Sequence, residues 1–237
     1  MSTTLPTLRP PSVHRIPRAR LVDRIEEVRA LVRGRSAIDL GFVDEGQMAA
    51  KSGRGTWLHE VVRDEARTCV GIDADAGGVA HARELGYDAH AADVEDAGSL
   101  EALGVEPAEV VLAGELLEHL DEPGRFLEAV KTLTAPGGAL VLTTPNAHAL
   151  TNTLGALAGR ELVNPDHVAW LSWRTLETLL SRHGWRLEQL AYYRFPRVES
   201  GARAPRLLFN AYQVAASPLF RFRPNLADGI LVVARLS

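Results

Sequence analysis

The sequence has one cysteine and two methionines in 237 residues, two lysines among its 26 basic residues, and 6% aromatics. The lone Cys69 excludes an internal disulfide and any thiolate cluster. It stands in the apolar run Cys69-Val70-Gly71-Ile72 with no activating base beside it, so it reads as a core thiol and not a nucleophile. No uninterrupted apolar run approaches the ~20 residues of a membrane span. The Pro/Thr-rich start, Met1 to Pro11, lacks the apolar stretch of a secretory signal, and the expectation is a soluble cytoplasmic protein. Disorder, collagen and coiled coil are excluded for the whole chain by 46% hydrophobic and 24% charged residues, and the length fits one globular domain. The dominance of arginine over lysine points to a GC-rich bacterial source.

The net charge of −4 conceals three blocks. Residues 1–35 carry 8 Arg against 3 acids, residues 36–190 carry 11 basic against 25 acidic side chains, and residues 191–237 carry 7 Arg against 2 acids. An acidic body between two arginine-rich ends does not suit a nucleic-acid track, so no nucleic-acid partner is expected, and with no spanning run no membrane partner is expected either. Because guanidinium groups fork onto phosphate or carboxylate, Arg194, Arg197, Arg203, Arg206, Arg221 and Arg223 are candidates for an anionic substrate pocket. The competing reading makes them solvated, or partners of the acidic body.

Along the chain, Met1 to Pro17 is a proline-rich arm. From Arg18 to Val32 the spacing of Leu21, Val22, Ile25, Val28, Leu31 and Val32 predicts an amphipathic helix ended by Gly34. Strand-like and helix-like segments then alternate. Strands are expected at 37–40, 68–72, 87–92, 109–113 and 139–144, and helices at 57–66, 77–85, 99–103 and 123–133. Beyond them come a helix at 173–183, a strand at 185–193, a helical stretch at 207–216 and a last strand at 229–236. Such βαβ alternation predicts an α/β fold: a doubly wound, mostly parallel seven-stranded sheet with an antiparallel last strand. Residues 1–34 would form an N-terminal helical arm, 35–193 the core, and 194–237 a substrate-cover insertion with the last strand.

Ligands of open α/β sheets bind beyond the carboxyl ends of the strands. Four successive predicted strand ends carry acids: Asp39, Asp73 and Asp75, Asp93 and Glu95, and Glu115. Such a set suits a cationic, donor-rich ligand. A dinucleotide site would want Gly-x-Gly-x-x-Gly leading into a helix. Here only Gly41 and Gly46 stand in the first loop, Asp44 and Glu45 would repel a phosphate, and Asp73 lies 34 positions after Asp39 where about 20 are expected. Nicotinamide cofactors are disfavoured.

The stretch Glu115-Leu116-Leu117-Glu118-His119-Leu120-Asp121-Glu122-Pro123, followed by Phe126-Leu127, Pro136-Gly137-Gly138-Ala139-Leu140 and Thr143-Thr144-Pro145-Asn146, resembles the class I S-adenosylmethionine-dependent methyltransferases. The closest similarity is to the small-molecule type that includes ubiquinone-biosynthesis-like O-methyltransferases and sugar methyltransferases. Asp166-His167-Val168, Leu171-Ser172 and Gly184-Trp185 are similar to the family's approach to its sixth strand. The resemblance covers about residues 35–190 and implies a Rossmann-like fold, S-adenosyl-L-methionine as cofactor, and methyl transfer to O or N of a small molecule, such as a sugar or secondary metabolite with an anionic group. A homodimer is compatible with it.

The resemblance places Asp39, Gly41 and Phe42 at the methionine end of the cofactor, and Asp73, with Ala74, at the ribose hydroxyls. Asp93 falls at the adenine amino group, Val94 supplies a backbone donor beside it, and Gly114 and Glu115 line the pocket beneath the sulfonium. The family's second and third loop glycines are replaced by Val43 and Glu45, a steric obstacle unless the loop takes another path; Gly53 and Gly55 are substitute turns. That departure motivates the alternative of a non-catalytic binding or assembly subunit. Where the acceptor keeps its proton, His119, His148 and His167 are the candidate general bases. His59 and His14 read as packing or surface residues, and the Trp170 and Trp173 pair as core or lid packing. No local metal-ligand spacing such as His-x-x-x-His is present, and no metal is expected.

Overall fold

In the computed structural model, which describes residues 12–43, 57–196 and 203–237, the apolar runs become strands of one sheet. Strands β2 (Ser36–Leu40), β3 (Thr68–Asp73), β4 (Ala89–Ala91), β5 (Ala108–Gly114) and β6 (Thr134–Pro145) run parallel, joined through helical crossovers. β8 (Gly229–Leu236) inserts antiparallel between β6 and β7 (Trp185–Tyr193). β1 (Arg20–Val22) adds parallel to β7 at the edge, giving the order β1-β7-β8-β6-β5-β2-β3-β4.

Period-two alternation sorts side chains onto two faces. Ile38, Leu40, Val111 and Ala113 pack with Phe126, Leu127, Leu176 and Leu180, from α5 (Pro123–Ala129) and α7 (Trp173–Arg182). Ala37, Val110 and Leu112 pack with Val28 and Val32 of α1 (Arg24–Val32) and Val62 of α2 (Leu58–Glu65). Helices on both faces are what a parallel sheet requires. A third cluster joins Phe42, Trp57 and Tyr87 to Val79 and Ala82 of α3 (Ala76–Glu84). α4 (Ala97–Ala102) follows β4. Cys69 is half-buried, and burial pushes its thiol well above the ordinary range, which agrees with a core role.

The N-terminal segment corrects one expectation. The helix predicted from Arg18 is divided: residues 20–22 form the eighth strand, and α1 starts only after Asp23, whose carboxylate accepts from Ile25 N at 2.9 Å and Glu26 N at 3.1 Å. This side-chain cap fixes the helix start. Two further helices were not anticipated, α6 (Leu150–Leu157) after β6 and α9 (Ser217–Phe222) after α8 (Arg203–Ala215).

The described parts of the insertion, residues 194–196 and 203–228, lie at the carboxyl edge of the sheet, between the end of β7 and the start of β8. A buried network holds them. Arg194 donates to Gln213 Oε1 at 2.9 Å and to the Gln213 carbonyl at 2.6 Å, while Gln213 Nε2 donates to Asp228 Oδ2 at 2.6 Å. Phe195 N donates to the same oxygen at 3.0 Å, so one carboxylate ties α8 to the ends of two strands. Arg194 is thereby a strut and not part of an anion pocket; Arg197 lies outside the described residues.

Candidate functional site

Strand order reverses at β2, which has β3 and β4 on one side and β5 and β6 on the other. A cavity of about 610 Å³ opens beyond the carboxyl ends of these strands, within the range of small-ligand pockets. Gly41 turns the chain out of β2 with φ +67°, and a Cβ there would stand 2.8 Å from Leu116 Cδ1. A side chain would be strained by both conformation and contact.

At the end of β3, Asp73 organises the loop. Its Oδ2 accepts from Val43 N at 2.8 Å and its Oδ1 from Asp75 N at 2.9 Å. Burial pushes this carboxyl above its usual range, and the two N–H groups pull it back. Asp75 then caps α3, accepting from Gly77 N at 2.9 Å. The Val43 side chain is accommodated by a second glycine: a Cβ on Gly78 would lie 2.3 Å from Val43 Cγ1. Val43 thus fills space that Gly78 leaves open on α3, while also lining the cavity. Glu45 lies outside the described residues.

Asp39 is 2% exposed, and its Oδ2 pairs with His59 Nδ1 at 3.0 Å. His59, on α2, is itself buried and stacked among Phe42, Trp57 and Tyr87. Gly71 makes room, since a Cβ there would lie 2.8 Å from Phe42 and 2.9 Å from His59. Trp57 Nε1 donates to the Phe42 carbonyl at 3.0 Å, fixing the first loop at its start.

At the end of β5, Glu115 has φ +56°, the only positive φ outside glycine among the described residues. A non-glycine side chain in that region costs of order 1 kcal/mol or more and persists only where its surroundings over-determine it. They do so here: Glu115 N donates to Thr143 O at 2.9 Å, Tyr193 donates its hydroxyl to Glu115 Oε1, and Arg24 stands 3.8 Å from the same oxygen. Burial holds the Tyr193 hydroxyl far above its ordinary range, so it remains a donor.

Beyond Glu115, Glu118 is 1% exposed and neither carboxyl oxygen has a hydrogen-bond partner. Burial, assisted by the neighbouring Glu115 charge, pushes its pKa up to about 8. His119 and His167 stack edge-on at 4.6 Å beside it, and the three residues present ligand atoms all within 4.8 Å of one another. One carboxylate and two imidazoles are a donor set for a divalent metal. No metal was expected from the sequence because His167 lies 48 positions after His119, on the far loop.

Of the residues singled out from the sequence, Asp39, Gly41, Phe42, Asp73, Ala74, Gly114, Glu115, His119 and His167 line this one cavity. Asp93 and Val94 do not. They stand beyond β4, Asp93 exposed with its carboxylate accepting from Glu95 N at 2.9 Å, and Val94 buried in the core. His148 is corrected: it is exposed on the turn after β6, its backbone N–H donating to Asn146 Oδ1, and it does not face the cavity. The sequence reading missed Arg24, Asn164 and the pairing role of His59, none of which has a local motif.

A parallel sheet with an antiparallel insertion, and an acid-lined cavity at its switch point, define the class as the Rossmann-like fold of class I S-adenosylmethionine-dependent methyltransferases. Solved structures share that fold: an S-adenosylmethionine-dependent methyltransferase from Archaeoglobus fulgidus matches with TM-score 0.54 at 17% identity, covering 89% of this chain and 93% of that one. One from Mesorhizobium loti matches with TM-score 0.51 at 18% identity, covering 89% and 96%. The methyltransferase domain family matches residues 52–190, and the chain belongs to that family. Its cofactor is S-adenosylmethionine.

Among curated relatives, the ubiquinone biosynthesis O-methyltransferase of Paraburkholderia phytofirmans is 30% identical over 139 residues, 58% of this chain and 55% of that protein. The protein of the same name from a Caulobacter species is 40% identical over 75 residues, 32% of this chain and 26% of that protein. The chain thus spans about half or less of the length of the curated relatives it matches.

Proposed function

We propose that this protein transfers the methyl group of S-adenosylmethionine to an oxygen or nitrogen of a small molecule. The observation that carries this reading is the convergence of Asp39, Asp73 and Glu115 with the glycine turn at Gly41 on one cavity, faced by His119 and His167. These carboxylates fit the cofactor, because a sulfonium offers them positive charge and an ammonium and ribose hydroxyls donate hydrogen bonds to them. When bound, the cofactor supplies an electrophilic methyl.

In this reading Asp73, already aligned by two backbone N–H groups, accepts the ribose hydroxyls through its remaining lone pairs. Gly41 allows the backbone to approach the methionine end, and Glu115 sets a negative charge beneath the sulfonium. Asp93 and Val94, one strand away, are assigned to the adenine edge. The chain orients the acceptor for in-line attack, which supplies much of the acceleration. His119 or His167 takes the acceptor proton where it is retained at neutral pH. Residues 194–228 cover the acceptor side. Methyl transfer is tested with isotopically labelled cofactor against a panel of phenols, nucleotide sugars and amines. Label in an acceptor supports the reading; binding of the cofactor without transfer to any of them favours a binding subunit.

The buried, unpartnered Glu118 beside two histidines favours a second component, a divalent cation held by Glu118, His119 and His167. Bound there, it would engage both imidazoles as ligands in place of the base role given to them above, and would orient an acceptor oxygen. Manganese or zinc should raise the thermal midpoint of the protein by a few degrees, as any ligand of the native state does, and His167→Ala should abolish the rise. An unchanged midpoint in the unsubstituted protein would remove the cation from the account.

A further inference from the structure

The expectation of no membrane partner rests on span length, and no described helix is long and apolar enough to cross a membrane. Span length does not bear on a helix that lies on the surface. On α8, the inward side is already used by Tyr212 and Gln213. Its outward stripe, Leu207, Leu208, Ala211, Val214 and Ala215, is apolar throughout and exposed. On α9, Leu219 and Phe222 are exposed as well, Phe222 by 81%. So many exposed large apolar side chains on two successive helices are unusual on a soluble surface.

A second observation comes from charge. A cleft of about 670 Å³ between the N-terminal arm and α9 is lined by Arg15, Arg18, Arg221 and Arg223 around Phe222, with no acidic residue. Among the described residues, none of these four guanidinium groups makes a side-chain hydrogen bond or ion pair. Arginine-rich ends on an acidic body would orient the molecule on a negative surface, ends inward and body outward. Apolar side chains set among unpaired guanidinium groups are the pattern of a helix lying in a lipid interface. A symmetric contact between two copies through this face would bring the same arginines against each other.

We propose that the α8–α9 face and the adjoining arginine cleft dock the protein onto an anionic lipid surface. The described parts of the insertion lie at the carboxyl edge of the sheet, the edge on which the candidate cavity opens, so docking gives that cavity access to acceptors dissolved in lipid.

The test is co-sedimentation of the full chain with phosphatidylcholine vesicles, with and without about 30% phosphatidylglycerol, at roughly 100 mM salt. Binding to the anionic vesicles is expected to be at least about tenfold stronger than to the neutral ones and to fall with added salt. The pairs Leu208→Asp with Phe222→Asp, and Arg221→Glu with Arg223→Glu, should each reduce it about tenfold or more while leaving the thermal midpoint near that of the parent. Absence of partitioning, or equal binding to neutral vesicles, would overturn the proposal. So would release from the vesicles by millimolar inorganic phosphate, which would mark a free-anion site, or a dimer in solution that the same aspartate substitutions dissociate.

Discussion

Replacing Asp73 with alanine should weaken binding of S-adenosylhomocysteine by about tenfold to a hundredfold. A hydrogen bond to a charged group is worth about 1.5–3 kcal/mol, and about 1.4 kcal/mol is a factor of ten in affinity. The variant loses the proposed acceptor of the ribose hydroxyls and also releases Val43 N and Asp75 N, which now hold the first loop and the start of α3 in register. Asp73→Asn keeps one acceptor oxygen and should fall between parent and alanine variant. Calorimetric titration of the three proteins checks this ordering. Equal affinities in all three would remove Asp73 from the ribose contact.

Gly78→Ala should have a large effect for a single added methyl group. The new Cβ would meet Val43 Cγ1 at 2.3 Å and Asp75 Oδ2 at 2.8 Å, too close for either to remain. Overpacking of this kind costs about 1–3 kcal/mol, or a midpoint lowered by roughly 3–10 °C for a chain of this size. Because Val43 N is bonded to Asp73, displacing Val43 also disturbs the cofactor loop. Val43→Gly should be nearly neutral for cofactor affinity and should rescue Gly78→Ala, since the two changes act through one contact. Additive losses in the double variant would show that Val43 and Gly78 are not coupled.

Much of this architecture is legible in the sequence because the core strands are short apolar runs bounded by turn signals. Ile38, Val111 and Leu140 stand in such runs and fall in one core cluster. What escaped detection has physical reasons. Arg20-Leu21-Val22 fits the helical period of the segment after it, and only the capping carboxylate of Asp23 separates strand from helix. α6 buries none of its residues, so its apolar side chains mark no core face. Asp39, Asp73 and Glu115 could be expected on one cavity because strand ends converge at a switch point whatever their separation in sequence, whereas Asp93 lies apart. His59 and His167 could not, because each meets its partners through tertiary packing: His59 with Asp39, 20 positions away, and His167 with His119. His148 was misplaced since a position just after a strand does not determine where the turn aims it.

The central claim is that a working cofactor pocket survives with Val43 in the glycine loop, because Gly78 yields the space. It is tested most directly by calorimetric titration of the purified protein with S-adenosylhomocysteine, with NADH as control. The account predicts one site per chain with a dissociation constant on the order of micromolar and no binding of NADH. Folded protein that fails to bind S-adenosylhomocysteine up to roughly millimolar concentration would contradict it.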